Sequence, residues 1–140
     1  MASGNWKIEI GLILMLGLLV GCSQDGPPIA DVEGQVLLDG APLSDAEVTF
    51  SPQSAGRHSV GKTDQDGRFE LRYSGTRTGA LVGDHTVKIS TFQAPHPAGP
   101  NGEMSPLKKE RVPKRYNVNS ELTRTVDKWG SEFTFELESK

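Results

Sequence analysis

From Val32 onward, apolar residues recur at every second position in short runs, the pattern of strands that bury one face and leave the other in water. Val32, Val36 and Leu38 share one side against Glu33, Gln35 and Leu37, and Val48 and Phe50 stand against Glu47 and Thr49. The same alternation sets Phe69, Leu71 and Tyr73 opposite Arg68, Glu70 and Arg72, and Val87 and Ile89 opposite Thr86, Lys88 and Ser90. Two more runs cover residues 121–126 (ELTRTV) and 132–138 (EFTFELE), the second with Phe133, Phe135 and Leu137 on one face. Turn chemistry separates the runs, with Asp39-Gly40 and Pro42 in LLDGAPLSDA and Gly130 in KWGSE. With SVGKT (59–63) included, the spacing predicts an all-β domain, an antiparallel β-sandwich of about seven strands. A helical period occurs only around residues 106–111, and Pro106 and Pro113 close it in.

The N-terminus carries a different pattern. Ile10–Val20 (IGLILMLGLLV) is an unbroken apolar run preceded by Lys7. At ~1.5 Å per residue a helix of this length covers about half of a ~30 Å hydrocarbon core, so the run predicts a removable signal helix rather than a permanent span. The Leu19-Val20-Gly21-Cys22 sequence that ends it resembles the lipobox of bacterial lipoproteins, where a cysteine thiol receives a diacylglyceryl group before cleavage leaves it as the first residue. Cys22 is the sole cysteine and has no internal disulfide partner. The resemblance implies a signal peptide over residues 1–21, a lipid on Cys22 with acyl chains such as palmitate, and a location at the cell envelope facing the periplasm or exterior. SQDGPPIAD then reads as a polar tether, giving a tether over 22–30 and a folded domain over 31–140.

Charged residues make up 24% of the chain, the formal charge is -3, and 16 glycines and 9 prolines favour turns over long helices. No concentrated cationic face stands out, and nucleic acid is therefore not an expected partner.

Residues 56–63, GRHSVGKT, satisfy the phosphate-loop pattern G-x-x-x-x-G-K-[ST]. That loop works at the start of a helix, and here DQDGRFELRY leads into a strand instead, which excludes nucleotide as the ligand. The overlapping TDQDG suggests a calcium loop. With Gly67 at the sixth position, Asp64 and Asp66 fall where ligands belong, but Lys62 and Tyr73 replace the first and twelfth. An EF-hand is excluded, leaving either a partial Ca²⁺ contact at Asp64 and Asp66 or a plain β-turn. Nucleophile elbows and zinc-binding histidine pairs are missing, and His58, His85 and His96 are isolated in sequence. His85 shares parity with Val87 and Ile89, which predicts a strand-end residue against the edge of the sandwich.

Two places could bind a partner. The connection over residues 93–113 is long, and Lys108, Lys109 and Arg111, with Lys114 and Arg115 just beyond it, make its second half basic. That suits anionic headgroups or acidic polysaccharide, whereas Glu103 and Glu110 suit a solvated crossover. Trp129, beside Gly130, is either a sugar-stacking platform or a cover for the open end of the sandwich.

VEGQVLLDGAPLSDAEVTFSP, GKTDQDGRFEL and GALVGDHTVKIST together resemble the carboxypeptidase regulatory-like domain, a transthyretin-like β-sandwich of exported bacterial proteins. The matching positions are Val32, Gly34, Val36, Val48, Phe50, Thr63, Asp64, Asp66, Gly67, Phe69, Gly83, His85 and Val87. The resemblance covers residues 31 to about 92 and implies a non-catalytic structural or interaction module without a cofactor. Its expected partners are the membrane, through the lipid, and an envelope protein or polysaccharide. A carbohydrate- or calcium-binding module using loops at one end is the alternative. The transthyretin-like fold also hosts a hydrolase of a cyclic urate derivative, but that family's Tyr-Arg-Gly-Ser ending has no counterpart in TFELESK.

Overall fold

Alternation of apolar and polar residues becomes ten strands in the computed structural model, which describes residues 26–140. The signal helix expected over 1–21, Cys22 and the first part of the tether lie outside the described residues. Seven of the strands match the sequence pattern: β2 (Val32–Leu38), β4 (Glu47–Pro52), β5 (Ser59–Lys62), β6 (Arg68–Glu70), β8 (Gly83–Ser90), β9 (Thr123–Val126) and β10 (Ser131–Leu137). The other three, β1 (Ile29–Ala30), β3 (Ala41–Pro42) and β7 (Ala80–Leu81), are two residues each, too short to carry a period.

The strands form two facing sheets, as expected of a β-sandwich. In the first, β2 is central, with β10 on one side and β3 and β6 sharing the other. The second has the order β5-β4-β8-β9, antiparallel throughout. A separate pair, β1 with β7, closes one end.

One departure from the expected antiparallel arrangement is that β10 pairs with β2 in parallel, Ser131 beside Val32 through Leu137 beside Leu38. Chain direction is the cause. β9 runs down the edge of the second sheet to Val126 opposite Gly83, and residues 127–130 cross to the first sheet at the end where β2 begins. From there β10 can only run the way β2 runs.

Val32, Val36, Phe69, Leu71, Phe135 and Leu137 from the first sheet meet Val48, Phe50, Val87 and Ile89 from the second in one buried cluster. The Phe50 and Phe135 rings meet edge-on with centroids 6.2 Å apart, an arrangement that aromatic quadrupoles favour. Gly34 lies in one cross-strand row between Phe69 and Phe133. A Cβ there would stand 2.1 Å from the Phe133 carbonyl oxygen and 2.8 Å from the Phe69 ring, so the glycine makes room for an aromatic on either side.

Residues 93–113 are not a featureless crossover. They leave β8 as an ordered two-stranded arm in which Gln93 and Lys108 exchange backbone hydrogen bonds at 3.0 Å, and Pro97 bridges Met104 nearer the tip. The stretch 106–111 with helical period is the arm's return path, and the helical turn that follows is a 3-10 turn at Lys114–Tyr116. The arm leaves the far end of the sandwich, beside the 39–40 and 64–67 turns. The chain from Gly26 enters at the other end, the tether end, beside residues 53–58 and 127–130.

Candidate functional site

The GKTDQDG segment is occupied with the fold itself. Lys62 lies on β5 and pairs with Asp45 at 2.7 Å, and Thr63 Oγ1 accepts a hydrogen bond from the Ala46 N–H at 2.9 Å. Asp64 Oδ1 accepts from the N–H groups of Asp66 and Arg68, each at 2.9 Å, in the manner of an Asx turn. Gly67 sits at φ 73°, where a Cβ would also stand 2.5 Å from the Val36 carbonyl oxygen. The strand-turn-strand geometry has no helix N-terminus for a phosphate. Asp64 and Asp66 are both exposed, and Oδ1 of Asp64 is engaged by its own turn. Among the described residues, no three His, Cys, Asp or Glu side chains are grouped to hold a metal ion.

The four residues singled out for ligand binding do not form one site. Lys108 pairs with Asp45, and Arg111 Nη2 donates to the Ser44 carbonyl at 2.8 Å, so both fasten the arm to the 44–45 turn. Lys109 is exposed at the arm's base. Trp129 lies at the opposite end of the sandwich and is 85% exposed, so it does not cover the open end as a packed tryptophan would. Lys108 and Arg111 thus clamp the arm to the domain, while Lys109 and Arg111 also remain exposed to solvent.

The centre of that clamp is Asp45. Hydrogen bonds from Lys108 and Lys62 lower its carboxyl pKa to about 2. Glu110 completes the attachment. Its Oε1 accepts from Thr91 N–H, Thr91 Oγ1 and Val112 N–H at 2.9–3.0 Å, and its Oε2 accepts from Ser90 Oγ. Burial would raise its pKa, but the hydrogen bonds from Ser90, Thr91 and Val112 outweigh burial and hold it below the ordinary value. Sequence reading took Glu110 as an interruption of positive charge. Thr91, whose hydroxyl also receives the Arg111 N–H at 2.7 Å, is its partner 19 positions away, a pairing that only the folded arm creates.

His85 is not at an edge but in the core, 1% exposed, with its ring centroid 5.7 Å from that of Phe50. Nδ1 lies 3.0 Å from the Gly83 carbonyl, and Nε2 has no partner among the described residues. Burial lowers its pKa, partly offset by the Gly83 hydrogen bond and the charge of Asp84. Ser59, on the same buried face, likewise has an unpartnered hydroxyl.

On the outer face of the first sheet, strand register assembles a row invisible in the sequence. Glu132 pairs with Glu33, and Glu33 with Glu70, so three exposed carboxylates stand side by side. A shallow groove runs along them, bounded at the tether end by Asp31 and Trp129. Phe92, Met104 and Leu107 form a second exposed feature, since each shows more than half of its surface on or beside the arm.

No helix among the described residues is long and apolar enough to cross a membrane. No family model matches the chain, and no curated protein resembles it in sequence. Among solved structures, a 9R-lipoxygenase from Cyanothece PCC8801 is similar with a TM-score of 0.39 and 15% identity, over 79% of this chain and 16% of that enzyme.

Proposed function

We propose that this protein is a lipid-anchored lipoprotein of the bacterial cell envelope, held by a lipid on Cys22, whose single transthyretin-like β-sandwich is a non-catalytic structural or interaction module. The observation that carries this reading is the apolar run Ile10–Val20 closing on Val20-Gly21-Cys22, with no second cysteine in the chain. Acyl chains contribute about 0.8 kcal/mol per buried CH₂, and several chains on one residue hold a small domain at a membrane without a spanning segment. A presenting module rather than a binding pocket is supported by how the polar side chains are used. Asp64, Lys62 and Thr63 make the β5–β6 turn, Lys108 and Arg111 clamp the arm, and the imidazole of His85 is enclosed by the core. The arm, with Phe92, Met104 and Leu107 exposed on or beside it, is the surface that faces an envelope partner.

The test is Cys22→Ala in the producing cell, with an alkyne-tagged fatty acid as label. The expected result is loss of label and release from the membrane fraction. A Cys22→Ala protein that still sediments with membranes after removal of its leader defeats the anchor.

A further inference from the structure

We propose that the tether end of the sandwich rests on the bilayer that holds the Cys22 lipid, with Trp129 seated among the headgroups. This rests on the reading of Cys22 as the anchor. The folded chain leaves the sandwich at a defined point. Ile29 and Ala30 pair with Leu81 and Ala80, and the Pro28 carbonyl accepts from the Val82 N–H at 3.0 Å. Three residues, Ser23, Gln24 and Asp25, separate Cys22 from Gly26. Even fully extended, at about 3.5 Å per residue, they keep Gly26 within about 14 Å of the lipidated residue. The headgroup layer is itself about 6 Å thick on each side. The end of the domain that holds Gly26 therefore cannot stand far from the surface.

Trp129 belongs to that same end, and its turn holds it outward. Asp127 Oδ1 accepts from the Trp129 N–H at 2.9 Å, the Asp127 carbonyl accepts from Gly130 N–H at 3.1 Å, and the Ser131 N–H reaches the Asp31 carbonyl at 2.9 Å. An indole 85% exposed on a pinned turn has an apolar body and an N–H donor, the combination that settles tryptophan at a membrane–water interface. Lys128 Nζ sits 4.9 Å from its ring, and the Arg77 guanidinium packs beside Gly26, placing two cations where phosphates would be. Two of the carboxylates at this end have partners, Asp31 accepting from Thr78 Oγ1 and Asp127 from its own turn. The Glu33, Glu70 and Glu132 row faces sideways along the sheet, so anionic lipid repels that wall and keeps the domain upright on its end. In this orientation the arm at the far end points away from the membrane by the length of the sandwich.

Maturation at Cys22 removes Trp6 and leaves Trp129 as the sole tryptophan, so its emission reports on this turn alone. The mature lipidated protein is reconstituted into phosphatidylcholine/phosphatidylglycerol vesicles with and without lipids brominated near the top of the acyl chain. The expected result is blue-shifted emission that brominated lipid quenches, with quenching reduced in Lys128→Glu/Arg77→Glu. If the protein floats with the vesicles and its N-terminal peptide carries lipid mass, yet emission keeps its water-exposed wavelength and is not quenched, the orientation is wrong and the anchor stands. An N-terminal peptide without lipid mass overturns both.

Discussion

Asp45 holds two cations from different parts of the chain, Lys62 on β5 and Lys108 on the arm, while its own backbone lies at φ 61°. Asparagine tolerates that left-handed conformation, so Asp45→Asn removes the charge and little else. Because the pairs are largely solvated, the expected loss in a urea titration is about 1 kcal/mol or less. Asp45→Ala adds the cost of placing an ordinary side chain at positive φ, about 1 kcal/mol more. Equal losses for the two variants would mean the backbone carries no strain. His85 gives a second residue-scale expectation, this time in pH. Its folded pKa lies below 6.5 because the ring is buried, so the unfolded chain takes up the proton first. The stability it contributes is complete above the unfolded value and declines as pH falls from about 6.5 through the folded pKa. Denaturation of the wild type is expected at lower urea at pH 5.5 than at 7.5. His85→Leu is expected to flatten that difference, since no imidazole remains to be protonated, and an unchanged difference would assign the pH dependence elsewhere.

At the scale of strands, the row of Glu132, Glu33 and Glu70 sets like charges directly opposite each other, which is unfavourable by a few tenths of a kcal/mol per pair. Reversing the central charge turns both contacts into attractions. Glu33→Lys is expected to raise stability by about 1 kcal/mol at low salt. Added NaCl is expected to stabilise the wild type and to leave the variant unchanged or slightly weaker, so matching salt responses would remove the row as a source of repulsion. This row also marks where sequence reading stops. Alternation identifies β2, β4, β6, β8 and β10 because each buries one face. It says which side Glu33 faces but not which strands flank it, and the parallel pairing of β10 follows from a crossover whose route leaves no period behind. The Asp39-Gly40 hairpin was legible for the opposite reason, since a two-residue turn with both residues at positive φ fixes its own register. The contacts of Glu110 and Lys108 are not legible in the sequence because their partners, Thr91 and Asp45, lie 19 and 63 positions away.

At the scale of the molecule, the boundary between tether and domain is set by packing rather than composition. SQDGPPIAD reads as a polar linker, yet Ile29 and Ala30 already belong to the fold. Ala30 is buried against Gly79, where a Cβ would stand 2.2 Å from the Ala30 carbonyl oxygen, and Pro28 supplies the acceptor for Val82. Two residues are too few to show alternation, so the sequence pattern places the boundary at Asp31. The difference is measurable. A chain beginning at Asp31 exposes Ala80 and Leu81 and leaves backbone donors of β7 without their partners, whereas one beginning at Gly26 keeps them. Apolar burial of that size together with the lost hydrogen bonds corresponds to about 2 kcal/mol. The shorter chain is expected to unfold at lower urea, with hydrogen exchange accelerated first in residues 79–83 and not in β4. If both chains unfold at the same urea concentration, β1 adds nothing to the fold and the domain begins at Asp31. If they differ as expected, the folded domain begins by Pro28 and β1 is an integral part of it.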